Sequence, residues 1–373
     1  MRFHADDLSP FENERLLHGI LIVGPSWVGD MMMAQSLFKL LKQQDPSCII
    51  DVLAPEWSLP LIERMPEVRR GVVMPIGHRE LKLAERKRIG QELGRIGYER
   101  AIVLPNSFKS ALIPAFAGIP TRTGYRREMR YFLVNDLRML SRYRMPMTVQ
   151  RFVALGLPVN APLPDPLPRP QLSANAENQA RLREELGLPA QRRAVAFMPG
   201  AEYGPAKQWP LEHFGAVAQE LVARGLDVWI IGSAKDVEAG EQIAQMAGEG
   251  VKNLAGKTSL GDAVDLLAMA EGAVTNDSGL MHVAAALDVP LVAIFGSSTP
   301  EHTPPLALPE RVAVLYLGIK CSPCFERTCK YQHLRCLTEI SPASVMQALD
   351  GLGVSVGAGA GVGVEAGASR PAS

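Results

Sequence analysis

The sequence has no charge of either sign to spare. Its 373 residues carry 39 Lys and Arg against 39 Asp and Glu. No global field therefore draws in nucleic acid or an anionic membrane, and any anion-binding surface has to be local. Long apolar runs are also missing. Those present, such as Ile20–Val23 and Leu291–Phe295, are strand-length, far short of the roughly twenty residues that cross a bilayer. Met1–Leu17 contains Asp6, Asp7, Glu12 and Glu14 and no apolar h-region, which reads against a signal peptide and for a soluble, cytoplasmic chain. With only five cysteines and a reducing compartment, no disulfide framework is expected. Also absent is the G-x-G-x-x-G fingerprint. Gly24 and Gly29 of Gly24-Pro25-Ser26-Trp27-Val28-Gly29-Asp30 do not have its spacing, which weighs against a nicotinamide-dependent oxidoreductase.

What is present is an ordinary globular composition, 47% apolar and 21% charged, at a length that suits two domains. Apolar runs at Gly19–Gly24, Ile49–Ala54, Val72–Ile76 and Ala101–Leu104 read as buried parallel strands. Between the first two, Met33, Ala34, Leu37, Phe38 and Leu41 fall on one helical face, with Gln35, Ser36, Lys39 and Lys42 opposite. Six prolines between Pro158 and Pro170 predict an extended connector. The alternation then restarts, with strands at Ala194–Met198, Asp227–Gly232, Ala273–Asn276 and Leu291–Phe295. Helices follow at His213–Arg224, Asp236–Gly248 and Leu260–Glu271, and one around Pro342–Leu349 closes the chain.

The expected fold is α/β, two Rossmann-like doubly wound domains. An N-terminal extension covers 1–18, a first domain with the Pro-rich linker 19–170, and a second domain 171–350. A patternless Gly/Ala-rich tail, 351–373, is expected to be disordered.

Candidate chemistry gathers where strands hand over to helices, the edge at which open α/β sheets bind ligands. Asp30 stands at the first such junction. A carboxylate there either caps free helix amides or accepts the proton of an attacking hydroxyl, two readings that share one geometry. After the strand ending at Met198, the loop Pro199–Pro210 offers Gly200, Gly204 and Lys207, suited to a phosphate by backbone approach and point charge. Thr275–His282 opens another helix. Its free amides suit a pyrophosphate, Asp277 a sugar or ribose hydroxyl, and Ser278 and Gly279 close approach. A solvated loop with an incidental Lys207, capping for Asp277 or Ser278, and a core position for His282 are the plainer alternatives. Gly296–Pro300 extends the same rim.

These residues together resemble the ADP-heptose:lipopolysaccharide heptosyltransferases of glycosyltransferase family 9. The likeness rests on V-G-D at Val28–Asp30, P-G-A-x-x-G-x-A-K-x-W-P at Pro199–Pro210 and T-N-D-S-G-L-M-H at Thr275–His282. Leu104–Ala111, Ala117–Pro120 and the stretch from Tyr125 to Arg138 resemble the heptosyltransferase II branch, and the likeness runs from about Ile20 to Leu349. It implies a GT-B fold with a cleft between the domains and an inverting mechanism without a metal or other cofactor. Asp30 falls at the general-base position. Lys207, Asp277, Ser278, Gly279 and His282 fall where ADP-heptose binds, with Gly200, Glu202 and Tyr203 in the same donor loop. Glu202, Tyr203 and Lys235 depart from the first heptosyltransferase of the family, which leaves the nucleoside contacts open.

Seven arginines between Arg122 and Arg144 form a local basic stretch with Tyr125, Tyr131, Phe132 and Tyr143 interleaved. Arg126 and Arg130, with Asn106 and Lys109, are the expected contacts to a Kdo2-lipid A-type acceptor. Peripheral contact with the cytoplasmic face of the inner membrane is expected too. A solvated helical face is the alternative. Cys321, Cys324, Cys329 and Cys336, with His333 nearby, invite a structural zinc, with buried thiols or a disulfide as alternatives. Other functions left standing are a first heptosyltransferase acting on Kdo, a Rossmann-type oxidoreductase and a silent nucleotide-sugar-binding module.

Overall fold

The computed structural model describes residues 18–77, 80–189 and 191–354. The N-terminal extension up to residue 17 and the tail from residue 355 lie outside the described residues. The first half runs β1 (Gly19–Val23), α1 (Val28–Gln44), β2 (Ile49–Ala54), α2 (Leu59–Ile62), β3 (Val68–Val73), α3 (Leu83–Gly94), β4 (Arg100–Val103), α4 (Leu112–Phe116), β5 (Thr121–Tyr125), β6 (Asp136–Arg138) and α5 (Thr148–Ala154). After the connector come α6 (Ala176–Glu185), β7 (Ala194–Met198), α7 (Leu211–Ala223), β8 (Asp227–Ile230), α8 (Val237–Ala247), β9 (Val251–Asn253) and α9 (Leu260–Ala268). The chain ends with β10 (Gly272–Asn276), α10 (Gly279–Ala286), β11 (Leu291–Phe295), β12 (Val312–Tyr316), α11 (Arg335–Thr338) and α12 (Pro342–Gly351).

Each half builds one six-stranded sheet, parallel throughout. The orders are β3-β2-β1-β4-β5-β6 and β12-β11-β10-β7-β8-β9, the same doubly wound pattern twice. Strand order reverses at β1/β4 and at β7/β10, and a crevice opens at such switch points. Asp30 follows β1, the Lys207 loop follows β7, and Asp277 follows β10, so all three junctions flank a switch point. Thr275 pairs beside Met198, which starts the two donor-side loops next to each other.

Three findings differ from the sequence reading. β3 begins four residues before the expected strand, because Arg69 and Arg70 disguise it. Their guanidiniums reach the buried Asp51, at 2.9 Å from Arg69 Nε and 3.0 Å from Arg70 Nε, and Tyr98 adds a hydroxyl donor at 2.5 Å. The basic stretch forms β5, β6 and a loop rather than a helical face. Packed structure also continues past residue 350, for Val354 is buried.

Helix α1 explains how the halves meet. Gln35 and Ser36, expected on its solvated face, are fully buried alongside Leu37 and Phe38. The connector lies against that face, where Gln35 accepts from Gln171 N (3.0 Å) and donates to Gln171 O (2.5 Å). Buried amides need such partners. Leu172 N then donates to Ala286 O and Ser173 N to Arg64 O, so the connector is stitched to both halves. Arg64 itself reaches across to the fully buried Asp265 of α9 at 2.5 Å, and Asn175 N and Asn178 Nδ2 donate to the same carboxylate.

Candidate active site

Asp30 lies in the first turn of α1. Trp27 occupies the N-cap with extended backbone, and no side chain caps the helix. The capping alternative is thereby removed, and the carboxylate is left for other work. Burial pushes the Asp30 carboxyl from 3.8 up to about 6, against a smaller lowering by the Lys207 ammonium of the second domain. A carboxylate poised near neutrality and facing a cation is suited to proton acceptance.

The starts of α1 and α10 touch. A Cβ on Gly29 would come 2.8 Å from His282 Cδ2, and one on Gly279 would come 2.7 Å from Val28 Cβ. The glycines of V-G-D and D-S-G thus let two helix N-termini, one from each domain, converge at one point, and both direct partial positive charge there. His282 is buried, and desolvation, aided by Lys207 and opposed by Asp277, drops its imidazole to about 4. It is neutral at physiological pH.

On the donor side, Lys207 Nζ donates to Asp277 Oδ2 at 2.5 Å, and Ser298 Oγ donates to the same oxygen at 2.5 Å. Asp277 is buried, so one cation and one hydroxyl hold a carboxylate that would otherwise be costly to desolvate. Asn276, also buried, ties the loop's two ends together. Its Nδ2 donates to Pro199 O at 2.6 Å and its Oδ1 accepts from Trp209 N at 2.9 Å. Asn276 received no role of its own from the sequence, and Ser298 only a place on the rim at Gly296–Pro300. The available signal was two polar residues where an apolar strand ends. Ser278 is the N-cap of α10 and makes no side-chain cap bond.

The other donor-loop residues have partners within the protein. A Cβ on Gly200 would collide with the Asp236 carboxylate, and Asp236 is held by Ser233 N and Oγ. That carboxylate accounts for the glycine. Glu202 is exposed and pairs with Lys235 at 2.5 Å. The Tyr203 hydroxyl donates to Phe325 O at 2.6 Å, and its ring lies 5.1 Å from Lys207 Nζ.

The acceptor residues divide. Arg130 is 1% exposed, and its guanidinium is consumed by the carbonyls of Tyr125, Pro105 and Ser107 and by Ser110 Oγ. Burial lowers it to about 10. The expected acceptor contact at Arg130 is corrected on this ground: the residue braces the Asn106–Ser110 loop from inside, with Asn106 Oδ1 3.5 Å away. Arg126 is exposed and stacks on Tyr131 at 5.4 Å. It lines an open cavity of about 460 Å³ with Arg127, Glu128, Met129, Tyr131, Met139 and Leu140. Lys109 sits half-buried at the loop's end, its carbonyl accepting from Arg86 Nη1 at 3.2 Å. Arg130→Ala is expected to cost about 2–4 kcal/mol by orphaning buried carbonyls. Arg126→Ala should change stability by no more than about 0.5 kcal/mol. Urea unfolding of the two variants checks the contrast.

The four clustered cysteines are unbridged. Cys321 Sγ lies 3.9 Å from His333 Nε2. Among the described residues no group of three or more His, Cys, Asp or Glu is arranged to hold a metal ion. The same residues include no helix long and apolar enough to cross a membrane.

Residues 86–335 match glycosyltransferase family 9 (heptosyltransferase). The chain is 48% identical to lipopolysaccharide heptosyltransferase 2 of Salmonella typhimurium, covering 89% of this chain and 98% of the relative. It is 46% identical to the Escherichia coli K12 protein of the same name, with the same coverage. The solved structure of Escherichia coli ADP-heptose LPS heptosyltransferase II superposes with a TM-score of 0.81 at 44% identity, over 90% of this chain and 98% of that one. Two doubly wound domains in GT-B arrangement, meeting where a near-neutral carboxylate faces a lysine, agree with these likenesses: the chain belongs to glycosyltransferase family 9, the heptosyltransferases.

Proposed function

We propose that this enzyme transfers L-glycero-D-manno-heptose from ADP-heptose, with inversion, to the first heptose of the lipopolysaccharide inner core on a Hep-Kdo2-lipid A acceptor. Relatives named lipopolysaccharide heptosyltransferase 2 support lipopolysaccharide heptose transfer as the activity. The observation that carries the finer reading is Asp30, raised to about 6 on one domain while facing Lys207 on the other. The acceptor hydroxyl oxygen attacks the anomeric carbon as its proton passes to Asp30. The bond from that carbon to the diphosphate oxygen breaks, and ADP leaves toward Lys207 and the N-terminus of α10, where amides and dipole stabilise the growing charge. Asp277 keeps Lys207 in position for this. Heptose donors and acceptors test the reading. The proposal expects turnover on Kdo2-lipid A already carrying one heptose and none without it. The reverse preference would mean a first heptosyltransferase acting on Kdo.

The acceptor is a glycolipid, and the exposed surface of the first domain suits one. Phe132 is 93% and Tyr143 96% exposed, in the same stretch as the exposed Arg126, Arg127, Arg142 and Arg144. Aromatic tips among arginines favour an anionic lipid surface. Phe132→Ser with Tyr143→Ser should reduce co-sedimentation with phosphatidylglycerol vesicles several-fold and leave ADP affinity unchanged. Undiminished sedimentation removes the membrane contact at this face.

A further inference from the structure

The cysteine-rich segment that the fold does not use for a disulfide is bound to the donor side of the cleft. Cys324 N and Phe325 N both donate to Ser297 O, at 3.1 and 2.7 Å, and Ser322 Oγ donates to Gly296 O at 2.6 Å. Ser297 N in turn donates to Ala206 O, beside Lys207. The Phe325 ring stacks on His302 with centroids 5.2 Å apart. Two further bonds join the segment to the donor loop itself, Tyr203 Oη to Phe325 O and Ala206 N to Arg327 O at 3.0 Å. Gly204, at φ +153°, permits the approach, since a Cβ there would come 2.5 Å from Arg327 O.

This lacing brings Arg327 to the donor loop. Its guanidinium carbon lies 5.2 Å from the Tyr203 ring centroid, and Lys207 Nζ lies 5.1 Å from the same centroid. Two cations thus share one aromatic side chain. Their charge is not equally available. Lys207 is paired with Asp277 and Lys235 with Glu202, whereas no carboxylate among the described residues forms an ion pair with Arg327. A nucleoside diphosphate sugar carries two negative charges, and its diphosphate gains more as the glycosidic bond breaks. The Lys207–Asp277 pair is neutral as a unit, so further positive charge is needed where the diphosphate leaves.

We propose that Arg327, carried over the donor loop by the cysteine-rich segment, is a second diphosphate-binding cation and engages the donor's phosphates through its fork. The proposal rests on the reading that this site takes a nucleoside diphosphate sugar. Arginine matches paired phosphate oxygens bidentately, and exposure leaves it free to swing onto them.

Calorimetric titration of the full chain with ADP, and competition by adenosine, test it. Arg327→Gln should weaken ADP roughly ten-fold or more and raise KM for ADP-heptose in parallel. Adenosine, which has no phosphate, should bind as before. Arg327→Lys should recover part of the loss, and melting temperatures should not move. Unchanged ADP affinity in Arg327→Gln overturns the proposal. So does an equal weakening of ADP and adenosine, which would mean that the segment merely shapes the pocket. If the unaltered chain binds neither ADP nor ADP-heptose, the nucleotide-diphosphate reading itself falls, and this proposal with it.

Discussion

Asp30→Asn is expected to lower kcat at pH 8 by about 10²–10⁴-fold, the range that a positioned base contributes. Affinity for ADP-heptose should stay within about two-fold, since the lost interaction belongs to the transition state. The amide keeps the shape of the carboxylate and cannot take the proton. The same substitution should stabilise the protein, because the fold raises this carboxyl from 3.8 to about 6 and thereby disfavours its ionised form. In the interval between those values the folded state holds a proton that the unfolded chain has released. Stability of the unaltered protein therefore falls as pH climbs from about 4 to beyond 6. The amide of the variant does not titrate, and its advantage appears above pH 6, at about 1 kcal/mol or more after discounting for partial exposure. It vanishes near pH 4. Activity has the opposite slope: kcat/KM of the unaltered enzyme should rise about ten-fold per pH unit below 6 and level off above it. Thermal melts and rate profiles across pH 4–8 check both. A variant that is less stable at pH 8, or a flat rate profile, contradicts the assignment.

Lys207→Met should produce the second large loss, about 10²–10³-fold in kcat, comparable to removing one preorganised donor from a charge-stabilising site. Here stability and catalysis move together, in contrast to Asp30. The lysine is the cation that offsets the buried Asp277, so its removal leaves that carboxylate with Ser298 alone. Breaking one side of a buried pair costs several kcal/mol in the general case. About 2–3 kcal/mol is expected here, because the lysine side chain retains 17% exposure. The double variant Lys207→Met with Asp277→Asn removes the orphaned charge. It should regain most of the stability and none of the activity, a non-additivity that a coupled pair predicts. Additive stability losses would mean that the two side chains do not depend on each other.

The apolar interior strands were the easiest features to read, because buried parallel strands are near-continuous apolar runs. β2, β7 and β11 lie on the expected residues. Strands at and next to a sheet edge were harder. β5 and β6 are written T-R-T-G-Y and D-L-R, too short and too polar to separate from a basic loop. β3 was offset because its two arginines are satisfied by a carboxylate on the neighbouring strand, which a one-dimensional pattern does not display. The polar face of α1 was misread for a related reason. Gln35 is bonded to the connector, a partner more than a hundred residues distant in the chain.

The candidate site shows the same division. Asp30, Lys207 and Asp277 were legible because strand-to-helix junctions announce themselves, and the structure brings all three into electrostatic contact. The roles of the glycines were not. Gly29 and Gly279 admit the opposing helix, Gly200 admits Asp236 and Gly204 admits the cysteine-rich segment, and each reason depends on a partner distant in sequence. Arg130 and Arg126 looked equivalent as members of one basic stretch. Burial alone separates them, making one a brace and leaving the other at the surface.

Mass spectrometry of mono-heptosylated Kdo2-lipid A, incubated with ADP-heptose and either the unaltered enzyme or Asp30→Asn, tests the central claim most directly. The expected result is one added heptose with the unaltered enzyme and none with Asp30→Asn at matched donor saturation. No product from the unaltered enzyme, or undiminished product from the variant, would contradict it.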